Sequence, residues 1–507
     1  MQLHLITPVV PTAEKQPGDE EIHGKLWRVT GPYDITSTTP GTLPVHFHCV
    51  SYVWGPSTEK KGSFFNCERD ISDQTRPALA AAIKAASVAI AQNESDAPIV
   101  EAFWIDAICI PQLEVPERYK TLESMGWIYS AATSVLIVLQ RPIWHIIESV
   151  SAATSPRALT YQEMQILEQD TWISRVWTYQ ELVNAHTVFF TTLEPTSAGH
   201  AMRAEKFFNC VGFSLDTWKK ATAQGYIAVL ETFHNLDTLQ DTLADRQLGD
   251  YLERTAFGVL SNMALRAFDP AFPQNRLLAS LGALSQDVSW GPPSTTLAEL
   301  AEKLMAICEL KGDYSFIYTS DVRDPLPGKG WRPSPSQIAA SEPANLVPVA
   351  NWSTWGTQNG HRDLKGLLLD EMVLLKPADR IDDEVENVLE KILYGFPALQ
   401  NSGIVINGIF RHKEGDEEDL SRVMLRFLRK IGFKGHGEPQ VCKQGLFFSQ
   451  LGLESYESVE IYAASSLRWT FGSPGLATWK RNGESRYCAG VFVGVSKTEV
   501  PQSILLE

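Results

Sequence analysis

The run Ser134–Leu139, SVLIVL, constrains the fold more than any other stretch of the chain. A nearly continuous apolar run of this kind is expected of a strand buried on both faces, as in the middle of a parallel sheet. Stretches of similar character lie on either side of it. Val45–Trp54, VHFHCVSYVW, is rich in β-branched and aromatic residues and stops at Gly55-Pro56, which marks a sharp turn. Val100–Ile110, VEAFWIDAICI, is closed by Pro111, and His186–Thr192 supplies a fourth strand. Helical patterns separate them: Ala-rich Gln74–Gln92, then Pro116–Ala132 with Leu122, Met125, Ile128 and Tyr129 along one face, then a looser stretch over 155–169. Strands alternating with helices over about 150 residues imply crossover connections and a mainly parallel sheet flanked by helices. In such sheets ligands gather outside the carboxyl ends of the strands. Ser51, Tyr52, Trp54 and Gly55 fall after one strand, and Asp106 and Gln112 near the end of another.

The chain has 507 residues, so two or three domains are expected. Residues 1–40 read as irregular, with one short strand near Leu26–Val29. The α/β pattern occupies 1–195, a helical block 196–325, and a smaller α+β region 326–507. The helical block reads as Ala201–Lys220, Ile227–Ala244, Leu248–Leu265, Arg276–Leu284 and Leu297–Leu310. The last region carries short strand candidates at Leu346–Trp352, Gly366–Leu375, Val459–Ala464 and Ala489–Val495. It also carries two acid-rich helix starts, Asp382–Glu386 and Glu414–Asp419. The Pro/Gly-rich loop PLPGKGWRPSP marks the boundary before it.

Composition narrows the function. A net charge of −16 argues against general binding to nucleic acid or an anionic membrane, both of which require phosphate neutralisation. The seven cysteines are scattered and never paired as CxxC, the pattern of reduced thiols. The first twenty residues lack a basic segment followed by an apolar one, and no run reaches the ~20 apolar residues needed to span a bilayer. An intracellular, cytoplasmic protein is expected. P-loop, HExxH, GxSxG and GxGxxG patterns are missing from the sequence. His46 and His48 make at most half a metal site, so no metal is assigned.

Thr171–Leu182, TWISRVWTYQEL, carries the strongest site signal. Read as one helix, it puts Trp177 and Glu181 four residues apart on one face, with Trp172 and Arg175 just upstream. Two indoles, a guanidinium and an acid suit the border of a small-molecule site, with Glu181 as the working carboxylate. On composition alone they better suit a helix docked by its tryptophans, with Arg175 and Glu181 in an ordinary ion pair. Asp106, an acid inside an apolar run, is costly unless paired, and the residues leave open whether it binds substrate or the backbone.

Three blocks, HFHCVSYVWG, FWIDAICIPQ with its helix reaching IYSAATSVLIVL, and WISRVWTYQEL, occur in an order and spacing that resemble the fungal heterokaryon-incompatibility (HET) domain. The resemblance covers roughly residues 24–190. FDPAFPQNRLLASLGAL and GKGWRPSP also look like segments that follow this domain in standalone members. Pro111 departs from the family's usual Asn before the Gln, which removes any role of an amide side chain there.

The resemblance implies a TIR-like (Toll/interleukin-1 receptor), flavodoxin-like fold and a role in incompatibility and cell death. It also implies NAD as a substrate, with no resident cofactor. Trp177, Glu181 and Leu182 match the Trp-to-Glu-Leu spacing of NAD-cleaving TIR domains. Carried over, Glu181 is the catalytic acid, Trp177 supports the site, and Ser51–Gly55 line the nucleotide. Trp54, Tyr52 or Trp177 would stack on a ring, and Arg175 would meet the diphosphate. Protein partners or self-association follow from the same class. Two alternatives stay open: a non-catalytic signalling module, and a scaffold recruited to small-molecule chemistry in secondary metabolism.

Overall fold

The computed structural model describes all residues except 36–44, 58, 68, 93–99, 112–114, 142, 194–200, 224–232, 249–250, 320–321, 327, 339–355, 364, 395–419, 431–432, 468–471, 482 and 496–498. The chain separates into two units. The first comprises Met1–Trp218, Glu231–Tyr251 and Leu281–Thr295; the second comprises Lys219–Leu230, Leu252–Ser280 and Thr296–Glu507.

The first unit is built on strands β1 (Gln2–Pro8), β2 (Glu20–Ile22), β3 (Lys25–Asp34), β4 (Phe47–Tyr52), β5 (Ala102–Ile105), β6 (Ser134–Leu139), β7 (Val188–Thr192) and β8 (Met202–Arg203). They form one sheet in the order β2-β3-β1-β5-β4-β6-β7-β8. The central four, β5-β4-β6-β7, are parallel. Every residue of these four strands is buried, as the apolar runs require. Antiparallel strands extend this core at both edges, so the whole sheet is mixed.

The amino-terminal segment, read from sequence as irregular with one short strand, contributes three strands to that sheet. Its strand β3 is mostly half-exposed, so the apolar alternation that marks a buried strand is weak there.

Helices α1 (Thr75–Gln92), α2 (Asp106–Cys109), α3 (Val115–Glu123), α4 (Met125–Ala131), α5 (Trp144–Ala152), α6 (Tyr161–Glu168), α7 (Thr171–Ser174), α8 (Trp177–Val183), α9 (Ala204–Ala223) and α10 (His234–Leu248) accompany the sheet. Helix α1 packs on β4, β6 and β7, and α5 packs on β7. Two expected continuous helices are each two. The segment 116–132 breaks at Ser124, whose hydroxyl donates to the Lys120 carbonyl at 2.7 Å. The segment 171–182 breaks at Arg175, whose ψ of 148° is extended. The expected strand 100–110 ends at Ile105, because Asp106 accepts the Ala107 N–H at 2.7 Å and opens α2.

The parallel strands run in the spatial order second, first, third, fourth. The chain leaves β4 toward one side of the sheet and leaves β6 toward the other. Such an order places a topological switch beside β4, where open α/β sheets present a crevice at their carboxyl edge.

Further along are α11 (Ala256–Ala264), α12 (Gln274–Leu284), α13 (Leu297–Leu310), α14 (Pro335–Ile338), α15 (Asp383–Tyr394) and α16 (Leu420–Lys430). Helix α13 begins where its sequence dictates, with a reciprocal Thr296–Glu299 capping box. The first turn of α15 carries Asp383, Glu384 and Glu386, as the acid run predicted. The second unit holds an antiparallel sheet of β9 (Gly360–Asp363), β10 (Gly366–Leu375), β11 (Gln440–Cys442), β12 (Gly445–Ser449), β13 (Glu460–Ala464), β14 (Gly472–Arg481), β15 (Glu484–Gly494) and β16 (Gln502–Leu506). The strand candidate 346–352 and the acid run 414–419 lie outside the described residues. No described helix is long and apolar enough to cross a membrane.

Candidate functional site

Four structural pieces meet at the carboxyl edge of β4. The strand's own end supplies Ser51 and Tyr52, both buried. The residue after β5 supplies Asp106. Helix α4 supplies Tyr129, and the α7–α8 pair supplies Trp172, Arg175 and Glu181.

The α7–α8 pair is held from several directions. Asp170 accepts the Trp172 N–H at 2.9 Å and also the Gln140 and Arg141 N–H groups, each at 2.9 Å. That one carboxylate ties the start of α7 to the turn leaving β6. Burial pushes its pKa up, and the three backbone donors oppose the shift. Past the break, Thr178 donates to the Arg175 carbonyl at 2.7 Å. Tyr179 donates to Asp245 on α10 at 2.9 Å, and Asn184 to the Gly282 carbonyl at 2.6 Å. Gly282 leaves room for Gln180: a Cβ on it would sit 1.6 Å from Gln180 Oε1 and 3.2 Å from the Gly126 N. With α8 anchored this way, its inward residue Glu181 reaches back to β4.

Glu181 is 7 % exposed and accepts a short hydrogen bond from the Ser51 hydroxyl. Tyr129 is its second hydroxyl partner. Burial pushes the Glu181 carboxyl up to about 7, while the Ser51 and Tyr129 hydrogen bonds and the Arg175 charge pull it down. Asp106 adds to the upward shift. Asp106 is itself pushed to about 6, first by burial; the Ala107 N–H, Arg175, Trp54 and Arg69 act against that. Two acids of one site thus titrate in the neutral range, which is the setting that general acid–base and electrostatic catalysis use.

The exposed member is Trp54. Its Nε1 donates to both Asp106 oxygens, at 2.9 and 3.1 Å, and the Arg69 guanidinium lies 5.0 Å over its ring. Gly55 holds the same loop: its N–H donates to Ser72 Oγ at 2.7 Å, and a Cβ there would meet Asp73 Oδ1 at 2.5 Å. Tyr52 turns the other way, with its hydroxyl 2.8 Å from Thr75 Oγ1 on α1.

Of the residues singled out in sequence, Ser51 touches Glu181 directly, and Asp106 and Arg175 act on it through their charges. Trp54 pins Asp106. Tyr52 and Gly55 brace the loop through α1 and the turn before it. Trp177, half-buried, packs against the apolar core. Gln112 lies outside the described residues. The indole next to the acid's hydrogen-bond network is Trp172, whose Nε1 donates to Ser51 Oγ at 2.6 Å.

Sequence reasoning placed Trp172 beside the site without its Ser51 contact, missed Tyr129 as a partner of Glu181 although its block was recognised, and missed Arg69, which lies outside the recognised blocks. Tyr129 and Trp172 have partners 52 and 121 residues away in the chain, and spacing along the chain does not report such pairings. Of the two strand histidines, His46 is exposed, whereas His48 is buried with Nδ1 2.7 Å from Ser134 Oγ, and burial lowers its pKa to about 4. No group of three metal-ligating side chains occurs among the described residues.

Ser51 is a strut and not a nucleophile. It is 1 % exposed, its one proton goes to Glu181, and the indole occupies an acceptor position on its oxygen.

The sheet is open, with a switch point beside its first parallel strand, and buried Glu181 and half-buried Asp106, Arg69 and Arg175 lie at that edge, where α/β domains of this class present their crevice. By comparison, residues 47–181 match the family model described as heterokaryon incompatibility protein (HET). The chain carries a heterokaryon incompatibility domain over that span, which opens at the first residue of β4 and closes at Glu181. No curated protein and no solved structure matches the chain.

Proposed function

We propose that the first unit is a TIR-like domain of the incompatibility and cell-death class that hydrolyses NAD, with Glu181 as the acid beside the ribose. The observation that supports it most is a buried glutamate at the switch-point edge, titrating near 7 with an arginine within charge reach. Breaking the nicotinamide–ribose bond sends the bonding electron pair to nicotinamide and leaves positive charge on the ribose carbon. An ionised Glu181 stabilises that charge, more strongly in a water-poor site than in solution. Water then adds to the carbon, and nicotinamide, ADP-ribose and one proton are released. Arg175 and Arg69 offer cations for the diphosphate, and Trp54 offers a ring face. Self-association belongs to this reading as the step that completes the site.

The test is to incubate the purified full chain with NAD over a range of protein concentrations and follow nicotinamide. Release is expected, and it should increase as pH rises through about 7, where Glu181 ionises. An absence of release at every concentration and pH removes the enzymatic reading.

A second reading, a signalling module without chemistry, draws on the same acid's low exposure and its two hydroxyl partners. It expects Glu181→Gln to leave biological output unchanged while the protein stays folded and assembled.

A further inference from the structure

Three atoms lie in series: Trp172 Nε1, Ser51 Oγ and Glu181 Oε2. Their donor order follows from chemistry alone. An indole N–H can only donate, so Ser51 Oγ is the acceptor at 2.6 Å. A serine hydroxyl has one proton, and the remaining partner of Oγ is the carboxylate. The Ser51 proton therefore points at Glu181.

We propose that Trp172 is a positioning residue for Glu181, orienting the Ser51 hydroxyl as a fixed donor that favours the charged form of the buried carboxylate. The role in turnover rests on the reading of Glu181 as the working acid; the orienting role does not.

The indole is placed to do this. Trp172 is fully buried, and its ring packs edge-on against Phe190 of β7, with centroids 5.8 Å apart and planes at 88°. Its backbone N–H is held by Asp170, the residue that also gathers the turn after β6. Trp172 is thus keyed to the strand on the far side of the switch point from Asp106. Protonating Glu181 on Oε2 would bring a second proton into the Ser51–Glu181 contact. The Ser51 hydroxyl would then have to swing away while its oxygen still accepts from the indole. That cost opposes protonation.

The other titratable or charged groups facing Glu181 are Cys49 on β4, Asp106 at the start of α2, Tyr129 on α4 and Arg175 between α7 and α8. Burial keeps the Cys49 and Tyr129 protons on, Asp106 disfavours the Glu181 charge, and Arg175 favours it. Ser51 and Tyr129 are thus the neutral donors that favour the charge, and the orientation of Ser51 is set from outside the pair.

The experiment is an infrared titration of the Glu181 carboxyl in the full chain, assigned by its loss in Glu181→Gln. This readout needs no NAD turnover, so it stands even where the proposed activity is not found. Ser51→Ala should raise the Glu181 midpoint by about one pH unit, a tenfold change in the protonation constant. Trp172→Phe keeps a ring against Phe190 but removes the N–H, and should raise the midpoint by a similar amount. The double variant should rise no further than Ser51→Ala alone, because both changes remove the same donor. Trp172→Tyr provides a second replacement should the Phe variant not fold. The proposal is overturned by an unmoved midpoint in Ser51→Ala, by one unmoved in the tryptophan variant while Ser51→Ala shifts, or by additive shifts in the double variant.

Discussion

Both units bury acids, and Glu181 of the first is met differently from Asp313 of the second. In the second unit Asp313 is 2 % exposed and is met by the Ala256 N–H at 2.7 Å, the Ser315 N–H at 3.0 Å and the Ser315 hydroxyl at 3.1 Å. Two of those donors are backbone groups, one at the start of α11, and Asp313 is their means of being satisfied inside the protein. Burial pushes the Asp313 pKa up, and the same three donors act against it. In the first unit Glu181 is met by the hydroxyls of Ser51 and Tyr129, with a half-buried Arg175 within charge reach. Both partners of Glu181 are side-chain hydroxyls, whereas two of the three on Asp313 are backbone N–H groups. Asp313 fastens a helix to its neighbour. Glu181 is held in a setting that allows its charge to change.

The surrounding sheets account for part of this contrast. Parallel strands send all their carboxyl ends to one edge, so Ser51, Asp106 and the α7–α8 pair arrive together. The antiparallel strands of the second unit distribute their turns to both ends of the sheet.

The largest effect that sharpens this contrast is on stability. Asp313→Ala leaves buried donors unsatisfied and should cost about 4 kcal/mol, read by urea unfolding of the full chain. A loss under about 1 kcal/mol would erase the distinction between fastener and working acid.

Next comes the pH dependence of Glu181. Its pKa in the folded protein, about 7, lies above the ordinary 4.5, so folding favours the protonated form. That stabilisation is complete below about pH 4.5 and is lost as pH rises through 7. Wild type should therefore lose about 3 kcal/mol of stability from the Glu181 ionisation between pH 4 and 8, and Glu181→Gln should not. Parallel stability curves for the two proteins would place the Glu181 pKa near its ordinary value and break the comparison.

The smallest effect is at the surface. Trp54→Phe keeps a ring beneath Arg69 but removes the N–H donor to Asp106. The stability change should be about 1 kcal/mol or less, because Trp54 is exposed. The Asp106 carboxyl, already near 6, should move further up in a carbon-13 titration. An unmoved Asp106 would mean that the indole is not its donor.

Legibility from sequence followed burial. The strands 134–139 and 366–375 and the helix 297–310 begin and end where the apolar pattern and the Thr296 cap put them. Of the amino-terminal strands only part of β3, near 26–29, was read; β1 and β2 escaped, and β3 keeps most of its side chains half-buried or exposed. Strand β14, GSPGLATWKR, was not assigned, because its glycines and proline interrupt the pattern that marks a strand. At the site, the positions of Ser51, Asp106 and Glu181 at strand and helix ends were readable. The break at Arg175, which gives Trp172 and Glu181 independent anchors, was not. It depends on Asp170, Asp245 and Gly282, none of them adjacent to Arg175 in the chain.

Nicotinamide release from NAD at about pH 8, compared between wild type, Glu181→Gln and Asp313→Asn at matched folded concentration, bears most directly on the central claim. The account predicts release by wild type, at least a hundredfold loss in Glu181→Gln, and retained activity per folded molecule in Asp313→Asn. Equal release by wild type and Glu181→Gln would contradict it.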